Sequence, residues 1–144
     1  MMKHLELKDF TLTSIDKIRY SDTDRQGHVN NAVFASYLET GRVELLYSPS
    51  ISILSNEISF VIVNLNLQFI KEILWPGQVE IGTGIIKIGN SSIKICQNLF
   101  QNGECVATSE STIVQVKKST GKSFPISEET RNILNQFLFN DTVV

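Results

Sequence analysis

The sequence lacks a strong excess of one charge, a long hydrophobic run and an N-terminal apolar segment. Lys and Arg number 13 and Asp and Glu 15, which gives a formal net charge of -2. A dedicated nucleic-acid-binding protein would show a basic stripe, so this near-balance argues against a nucleic-acid partner. No apolar run approaches the roughly 18–20 residues that span a membrane, and MMKHLELKDF does not resemble a signal peptide. We therefore expect a cytoplasmic protein without a membrane partner.

Cysteine is scarce: only Cys96 and Cys105 are present, together with two histidines. A metal site needs more ligands than these distant residues supply, so no metal is expected. Asn102-Gly103 between the cysteines predicts a two-residue hairpin turn, with Phe100 opposite Cys105 and Cys96 opposite Ser109. The cysteines would share a sheet face about four residues out of register, which is too far for a disulfide. We expect two reduced thiols.

Length and composition are those of one globular domain spanning residues 1–144. Apolar residues make up 42% of the chain and charged residues 19%. A chain of this size can bury a hydrophobic core, and its low fraction of charged residues argues against long disordered segments.

Hydrophobic periodicity predicts a strand, one long helix, four further strands and a short terminal helix. The predicted strands are 12–20, 60–70, 79–88, 92–100 and 105–116. The helix carries apolar residues at three- and four-residue spacing from Val33 to Leu46, can be capped by Asn30 or Asn31, and should end at Ser48-Pro49. A terminal helix is expected after a cap at residues 127–129. A helix followed by an antiparallel meander is an α+β arrangement, with the helix on one sheet face.

Strand 60–70 shows the strongest period-two pattern. One face is expected to hold Val61, Val63, Leu65, Leu67 and Phe69, and the other Asn64, Asn66 and Gln68. The second face carries almost no charge, although a monomer would be expected to guard such a surface and its edges with lysines. The pattern therefore predicts a homodimer at least.

Potentially catalytic side chains cluster in one segment of the sequence, residues 19–42. Its sequence is RYSDTDRQGHVNNAVFASYLETGR. Asp, Gly and Asn are ordinary loop residues, and a purely structural role remains open. The segment also has a chemical logic, because a helix start presents unpaired backbone amides and a positive dipole end. A carbonyl between such an amide and an upstream carboxylate would be polarised and attacked. That arrangement suits thioester hydrolysis, since a thiolate leaves without a strong general acid.

The string Y-S-D-T-D-R-Q-G-H-V-N-N and the helix after it resemble the 4-hydroxybenzoyl-CoA thioesterase-like branch of the hotdog-fold acyl-CoA thioesterases. The resemblance extends over nearly the whole chain, through W-P-G, G-N-S-S, the N-G hairpin and T-G-K-x-x-P-I. It implies a hotdog fold, in which an antiparallel sheet wraps a long helix and two subunits join sheets edge to edge. It also implies an acyl-CoA thioesterase without a cofactor, a homodimer or homotetramer, with active sites at the subunit interface. An acyl carrier protein substrate, or a hotdog protein that binds acyl-CoA without turnover, remains open.

The resemblance assigns the catalytic roles residue by residue. Asp24 matches the family's catalytic carboxylate, acting either as nucleophile or as general base on water. The backbone amide of Asn31 matches the donor that polarises the thioester carbonyl. His28 either orients a group near the thioester or is a hydrogen-bonded histidine of the core.

Substrate binding is expected from the same loop and from one hairpin. Gly27 would let the backbone turn close to the acyl group, with Asn30 beside it. Ser91 and Ser92, with Lys94, occupy the hairpin that approaches coenzyme A in relatives, although they are equally plausible as turn residues and a solvated lysine.

Three other charged residues of the segment are interpreted as structural. Asp22 is expected to order the loop rather than to perform chemistry. Glu39 and Arg42 lie three residues apart on the helix and would simply pair, worth about a few tenths of a kcal/mol.

Overall fold

The computed structural model describes residues 4–47 and 56–139. Its helices are α1 (Val33–Tyr47) and α2 (Glu128–Leu134). Its strands are β1 (Leu12–Lys17), β2 (Ile58–Phe69), β3 (Gln78–Ile88), β4 (Ser92–Gln101) and β5 (Glu104–Lys117). The predicted helix stop at Ser48-Pro49 lies outside the described residues. No helix among the described residues is long and apolar enough to cross a membrane.

All five strands form one antiparallel sheet in the order β1-β3-β4-β5-β2. Only β3, β4 and β5 follow one another as a meander. The predicted meander of four strands is therefore wrong for β2, because β2 pairs with β5 and the connection from β2 to β3 crosses the sheet. This crossover leaves β1 and β2 as the two edges, with α1 on one face, and the α+β hotdog architecture is confirmed.

The helix α1 lies close to the sheet because its middle is a glycine. A Cβ atom on Gly41 would be 2.6 Å from the side chains of Gln97 and Thr83. On either side of this contact the helix buries apolar residues in two separate clusters, one around Phe34 and Tyr37 and one around Leu45 and Leu46. The expected buried stripe of α1 is confirmed.

Two strands differ from their predicted form. The first ends at Lys17, because residues 20–22 turn into a short 3-10 helix. In β2 a bulge at Val63 shifts the alternation, since Ile62 lies opposite Ile113 and Asn64 opposite Thr112. The prediction that Val61 shares a face with Leu65 is therefore wrong. Ile62 takes its place on the side facing the helix.

The β4–β5 hairpin turns at Asn102-Gly103 as predicted, with φ angles of 52° and 80°, and Phe100 lies opposite Cys105. An irregularity between Leu99 and Phe100 then moves the register by one residue. Cys96 consequently lies opposite Glu110, so its predicted pairing with Ser109 is wrong. Both cysteines belong to one cluster on the face away from α1, and neither forms a disulfide.

The two ends of the described chain cover the sheet face away from α1. Phe10 packs over Gly82 and Phe139 over Gly84, where added Cβ atoms would lie 2.5 and 2.6 Å from the rings. The α2 helix precedes Phe139 and begins as predicted at Ser127, whose hydroxyl accepts a hydrogen bond from the Thr130 amide at 3.1 Å. The termini therefore close one face, while α1 and the functional loop occupy the other.

Candidate active site

Asp22 anchors the loop before α1 to the helix itself. It is buried, and its Oδ2 accepts hydrogen bonds from the Arg19 amide at 2.9 Å and from the Tyr37 hydroxyl at 2.8 Å. Burial, and then the bond to Asp22, raise the pKa of Tyr37 above its usual value of 10.0. These contacts agree with the expectation that Asp22 orders the loop.

Asp24 heads a tight turn that presents its carboxylate beside an imidazole. The Asp24 amide donates to the His28 carbonyl at 2.9 Å, and its Oδ1 accepts from the Gln26 amide at 2.9 Å. Gly27 closes the turn with φ of +89°, a conformation that suits glycine. Asp24 Oδ2 lies 3.8 Å from His28 Nδ1, and the two side chains are 28% and 31% exposed. The carboxylate is therefore partly sheltered yet accessible to a small reactant.

The start of α1 leaves one backbone amide available. Asn30 Oδ1 accepts from the Ala32 amide at 2.9 Å, and the Asn30 carbonyl accepts from the Val33 amide at 2.9 Å. The Asn31 amide has no acceptor among the described residues. It lies at the positive end of a 15-residue helix, where a developing negative charge is stabilised.

A cavity of about 260 Å³ opens at this helix start. His28, Asn31 and Phe34 line one side, and Phe69, Lys71 and Glu72 line the other. The rings of Phe34 and Phe69 meet edge to face at 5.0 Å between centroids, which gives the cavity an apolar wall. Asp24 does not line this cavity but stands beside His28, which does.

The other predicted binding residues are not all gathered here. Gly27 and Asn30 shape the loop without lining the cavity. Ser91 and Ser92 lie at the opposite end of the sheet, since the bridge between His28 and Leu74 places the loop near the start of β3. The ten residues of β4 separate the two ends by about 33 Å within one chain.

Three of the lining residues are not identified by the sequence pattern. It assigns Phe69 only to a strand face, and Lys71 and Glu72 only to a connection. A signal is present, because β2 is twelve residues without a charge and the charged Lys71-Glu72 follows shortly after it. The pairing of β2 with β5 is needed to place that end beside α1.

Glu39 and Arg42 do not form the expected pair. No ion pair of 4.0 Å or less joins them among the described residues. Arg42 instead donates from Nη1 to Gln97 Oε1 at 3.3 Å, and Glu39 and Arg42 line a second cavity farther along α1. Burial holds the pKa of Arg42 below its usual value.

The arrangement at the helix start has the parts for attack on an electrophilic carbonyl. The Asn31 amide and the helix dipole can stabilise negative charge on the carbonyl oxygen. The Asp24 carboxylate, beside His28, can attack or take a proton from water. The phenylalanine wall can hold an apolar part of the reactant.

Comparison with known proteins relates the chain to thioesterases. A family model described as the thioesterase-like superfamily matches residues 18–134. A predicted thioesterase from Bacillus stearothermophilus is 29% identical, with a TM-score of 0.78 over 89% of this chain and 96% of that chain. A thioesterase complexed with coenzyme A and Zn from Thermus thermophilus is 26% identical, with a TM-score of 0.77 over 90% and 96%. The PA5185 protein from Pseudomonas aeruginosa PAO1, at 22% identity, shares the fold with a TM-score of 0.84 over 94% and 96%.

Proposed function

The chain belongs to the thioesterase-like superfamily, and we propose that it hydrolyses acyl-CoA thioesters to the free acid and coenzyme A. The observation that carries this proposal is the unpartnered Asn31 amide, among the described residues, beside the Asp24–His28 pair at the start of α1. Support for coenzyme A comes from the Thermus thermophilus relative, which is complexed with it. Thioester hydrolysis is the general chemistry of the superfamily, and the acyl-CoA substrate and the residue roles are our proposal.

In the proposed reaction the thioester oxygen accepts a hydrogen bond from the Asn31 amide, which makes the carbonyl carbon electrophilic. Asp24 either removes a proton from the attacking water or attacks the carbon itself, giving an anhydride that water then opens. In both routes the carbon–sulfur bond breaks, the acid keeps one oxygen of water, and coenzyme A leaves as a thiolate that takes up a proton. His28 positions the carboxylate in both routes.

The substrate is proposed to lie along the loop and to meet a neighbouring subunit. Gly27 and Asn30 hold the loop in the shape that presents Asp24 and the Asn31 amide. Ser91 and Ser92 are proposed to contact coenzyme A. Because they lie at the opposite end of the sheet from Asp24 in one chain, we propose that they serve the site of another subunit.

A homodimer, or a homotetramer of two dimers, is proposed as the working assembly. The support is the edge strand β2, which exposes Val61, Val63 and Phe69 by 42%, 59% and 51% and carries no charge. Such an edge readily pairs with a second copy of the same chain.

Release of thiol from a panel of acyl-CoAs tests the function. Aliphatic chains of graded length and aromatic acyl groups are supplied at equal concentration, and the new thiol is measured with a thiol reagent. We expect at least one acyl-CoA to be hydrolysed catalytically. The best acyl group is then supplied on acyl carrier protein, and faster hydrolysis there would assign the carrier protein as substrate. Tight acyl-CoA binding without thiol release would identify a binding protein and contradict the proposal.

A further inference from the structure

A polar layer crosses the sheet beneath the middle of α1, between the two apolar clusters. It consists of side chains that face the helix from three strands: Thr83, Gln97, Ser109 and Ser111. The Gln97 amide donates to the Leu38 carbonyl at 2.9 Å and contacts the Thr83 hydroxyl at 3.0 Å. The hydroxyls of Ser109 and Ser111 are buried without a partner among the described residues. Buried polar groups are normally hydrogen-bonded, so hydrogen bonds among the described residues do not explain why these two serines are polar.

Arg42 extends the polar layer from the helix side. Its guanidinium is half-buried and donates one hydrogen bond, to Gln97 Oε1. No carboxylate among the described residues lies within 4.0 Å of it. A guanidinium has five N–H donors, so most of its hydrogen-bonding capacity remains for another group.

Arg42 lines a small cavity between α1 and the edge strand β2. The cavity measures about 130 Å³ and holds Arg42 and Glu39 as its charged lining residues. Its apolar walls include Val43 and Leu46 from the helix and Ile62 from β2. A cavity of ~150 Å³ accommodates benzene, so this smaller cavity can hold the last few carbon atoms of an acyl chain and the group at its end.

The cavity at Arg42 lies far from the Asn31 amide of its own subunit. The two residues lie eleven positions apart on α1, which is about 16 Å. An acyl chain of six carbons does not span that distance, so within one subunit only a much longer acyl chain would join the cavity to the Asn31 amide.

Pairing of two β2 edges would bring the cavity of one subunit to the Asn31 amide of the other. The start of α1 packs at the Phe69 end of β2, and its last residue, Tyr47, packs on Phe60 at the other end. An antiparallel pair of β2 strands about a two-fold axis places the Phe69 end of one beside the Phe60 end of its copy.

We propose that the cavity at Arg42 of one subunit receives the far end of the acyl group whose thioester lies at Asn31 of the partner subunit, and that Arg42 selects acyl groups ending in an oxygen acceptor. This inference rests on the proposed thioesterase function and deepens it by naming the substrate class. A terminal hydroxyl or carboxylate would accept a hydrogen bond from Arg42, whereas a terminal methyl would leave its donors unpaired. Glu39 on the same cavity favours the hydroxyl over the carboxylate, because a second anion beside it is repelled.

Three acyl-CoAs of equal chain length test the preference: hexanoyl-CoA, 6-hydroxyhexanoyl-CoA and adipoyl-CoA, which end in a methyl, a hydroxyl and a carboxylate. We expect the hydroxylated substrate to exceed hexanoyl-CoA in kcat/KM by about tenfold or more, the usual effect of a hydrogen bond to a charged group. Equal values for all three, or a preference for the methyl end, would overturn the proposal.

Variants assign the preference to Arg42. Arg42→Met should bring the ratio of the hydroxylated to the plain substrate close to one, and Arg42→Lys should retain part of it. Glu39→Gln should raise the carboxylate substrate relative to the hydroxyl. The matched control is Arg131→Met, since Arg131 is also half-buried and donates one hydrogen bond, to the Gly89 carbonyl at 3.0 Å. It should keep the wild-type ratio, and loss of the ratio there would argue against a specific role for Arg42.

A mixed dimer separates a cavity in the same chain from one in the partner. One subunit carries Asp24→Asn and its partner Arg42→Met, with two affinity tags for purification of the pair. If Arg42 acts across the interface, the intact Asp24 faces an intact Arg42, and the pair hydrolyses 6-hydroxyhexanoyl-CoA with the wild-type preference at about half the rate. Turnover without preference would overturn the proposed arrangement.

Binding measured by calorimetry distinguishes failure of this inference from failure of the proposed function. Hydrolysis of all three acyl-CoAs at equal rates would support the proposed thioesterase function and contradict the role of Arg42. The protein could instead bind the hydroxylated thioester preferentially without hydrolysing it, and lose this preference in Arg42→Met. That result would contradict the thioesterase function and support the role of the cavity. Absence of both binding and hydrolysis contradicts both.

Discussion

Asp24 and Asp22 lie two residues apart in surroundings that give them different tasks. Asp24→Asn retains the shape of the side chain and removes its charge and basicity. We expect kcat to fall by about 10²–10⁴, the usual cost of losing a positioned base or nucleophile, with little change in Tm because the side chain is partly exposed. Steady-state hydrolysis of the best acyl-CoA and thermal unfolding measure the two quantities.

The control for that variant is Asp22→Asn. Because Asp22 is buried and accepts bonds from Arg19 and Tyr37, its change should lower Tm more than Asp24→Asn does and reduce turnover per folded molecule much less. If Asp22→Asn is folded and loses more turnover than Asp24→Asn, the catalytic carboxylate has been assigned to the wrong residue.

The Tyr37 hydroxyl should contribute stability that disappears at high pH. Tyr37→Phe leaves buried Asp22 without one of its donors, at a cost of about 1–3 kcal/mol. The pKa of Tyr37 is raised in the folded chain, so its contribution is fully present below the unfolded value of 10.0 and declines as pH rises above it. Urea unfolding of both proteins between neutral pH and pH values above the unfolded pKa of 10.0 should show a constant difference that shrinks above that pKa. A difference that grows there would contradict the assigned hydrogen bond.

At the residue scale the sequence identifies the loop and misses the groups facing it. Asp24, His28 and Asn31 lie within eight positions of one another, so a local pattern can single them out. Lys71 and Glu72 reach the same cavity only through the pairing of distant strands, which a local pattern does not contain. The expected pair of Glu39 and Arg42 is wrong because helical spacing alone does not show that Gln97 competes for the guanidinium.

The helix α1 owes its position to the absence of a side chain at Gly41. Gly41→Ala places a Cβ atom 2.6 Å from Gln97 and Thr83 and 2.9 Å from Ile81. Alanine favours a helix by about 1 kcal/mol over glycine, but overpacking costs about 1–3 kcal/mol, so we expect net destabilisation by about 1 kcal/mol. Ser36→Ala, on the same helix at a position away from the sheet contact, should leave stability within about 0.5 kcal/mol of the wild type. Denaturant titration compares them, and a more stable Gly41→Ala would show that the helix can move away from the sheet.

At the element scale, periodicity predicts the type and bounds of most elements and does not predict irregularities. The helix, the hairpin turn at Asn102-Gly103 and the terminal cap follow from local rules that need no partner. The bulge at Val63 and the pairing of β2 with β5 depend on the strand opposite. A single extra residue therefore exchanges the faces assigned to Val61 and Ile62.

At the scale of the whole molecule, the two cavities along α1 can bind the two ends of one short acyl group only if two subunits assemble. One is lined by His28 and Asn31 and the other by Glu39 and Arg42, and they lie at opposite ends of the same helix. The edge strand β2 runs beside both. An assembly through this edge would therefore form two equivalent sites, each with elements of both subunits, and loss of the assembly should remove activity as well as mass.

The last prediction tests this dependence through one edge residue. Val63→Lys places a charge on the exposed edge of β2, which should oppose pairing with a second copy. Light scattering at micromolar concentration should give twice the chain mass of 16.2 kDa, or four times, for the wild type and a lower mass for the variant. Acyl-CoA hydrolysis should fall with the mass, while the circular dichroism spectrum stays that of a folded chain. Ile15→Lys is the control, because Ile15 lies on the opposite edge strand and is as exposed as Val63, both at 59%. It should retain mass and activity. A wild-type mass near 16.2 kDa, or a fully active monomeric Val63→Lys, would show that each chain carries a complete site.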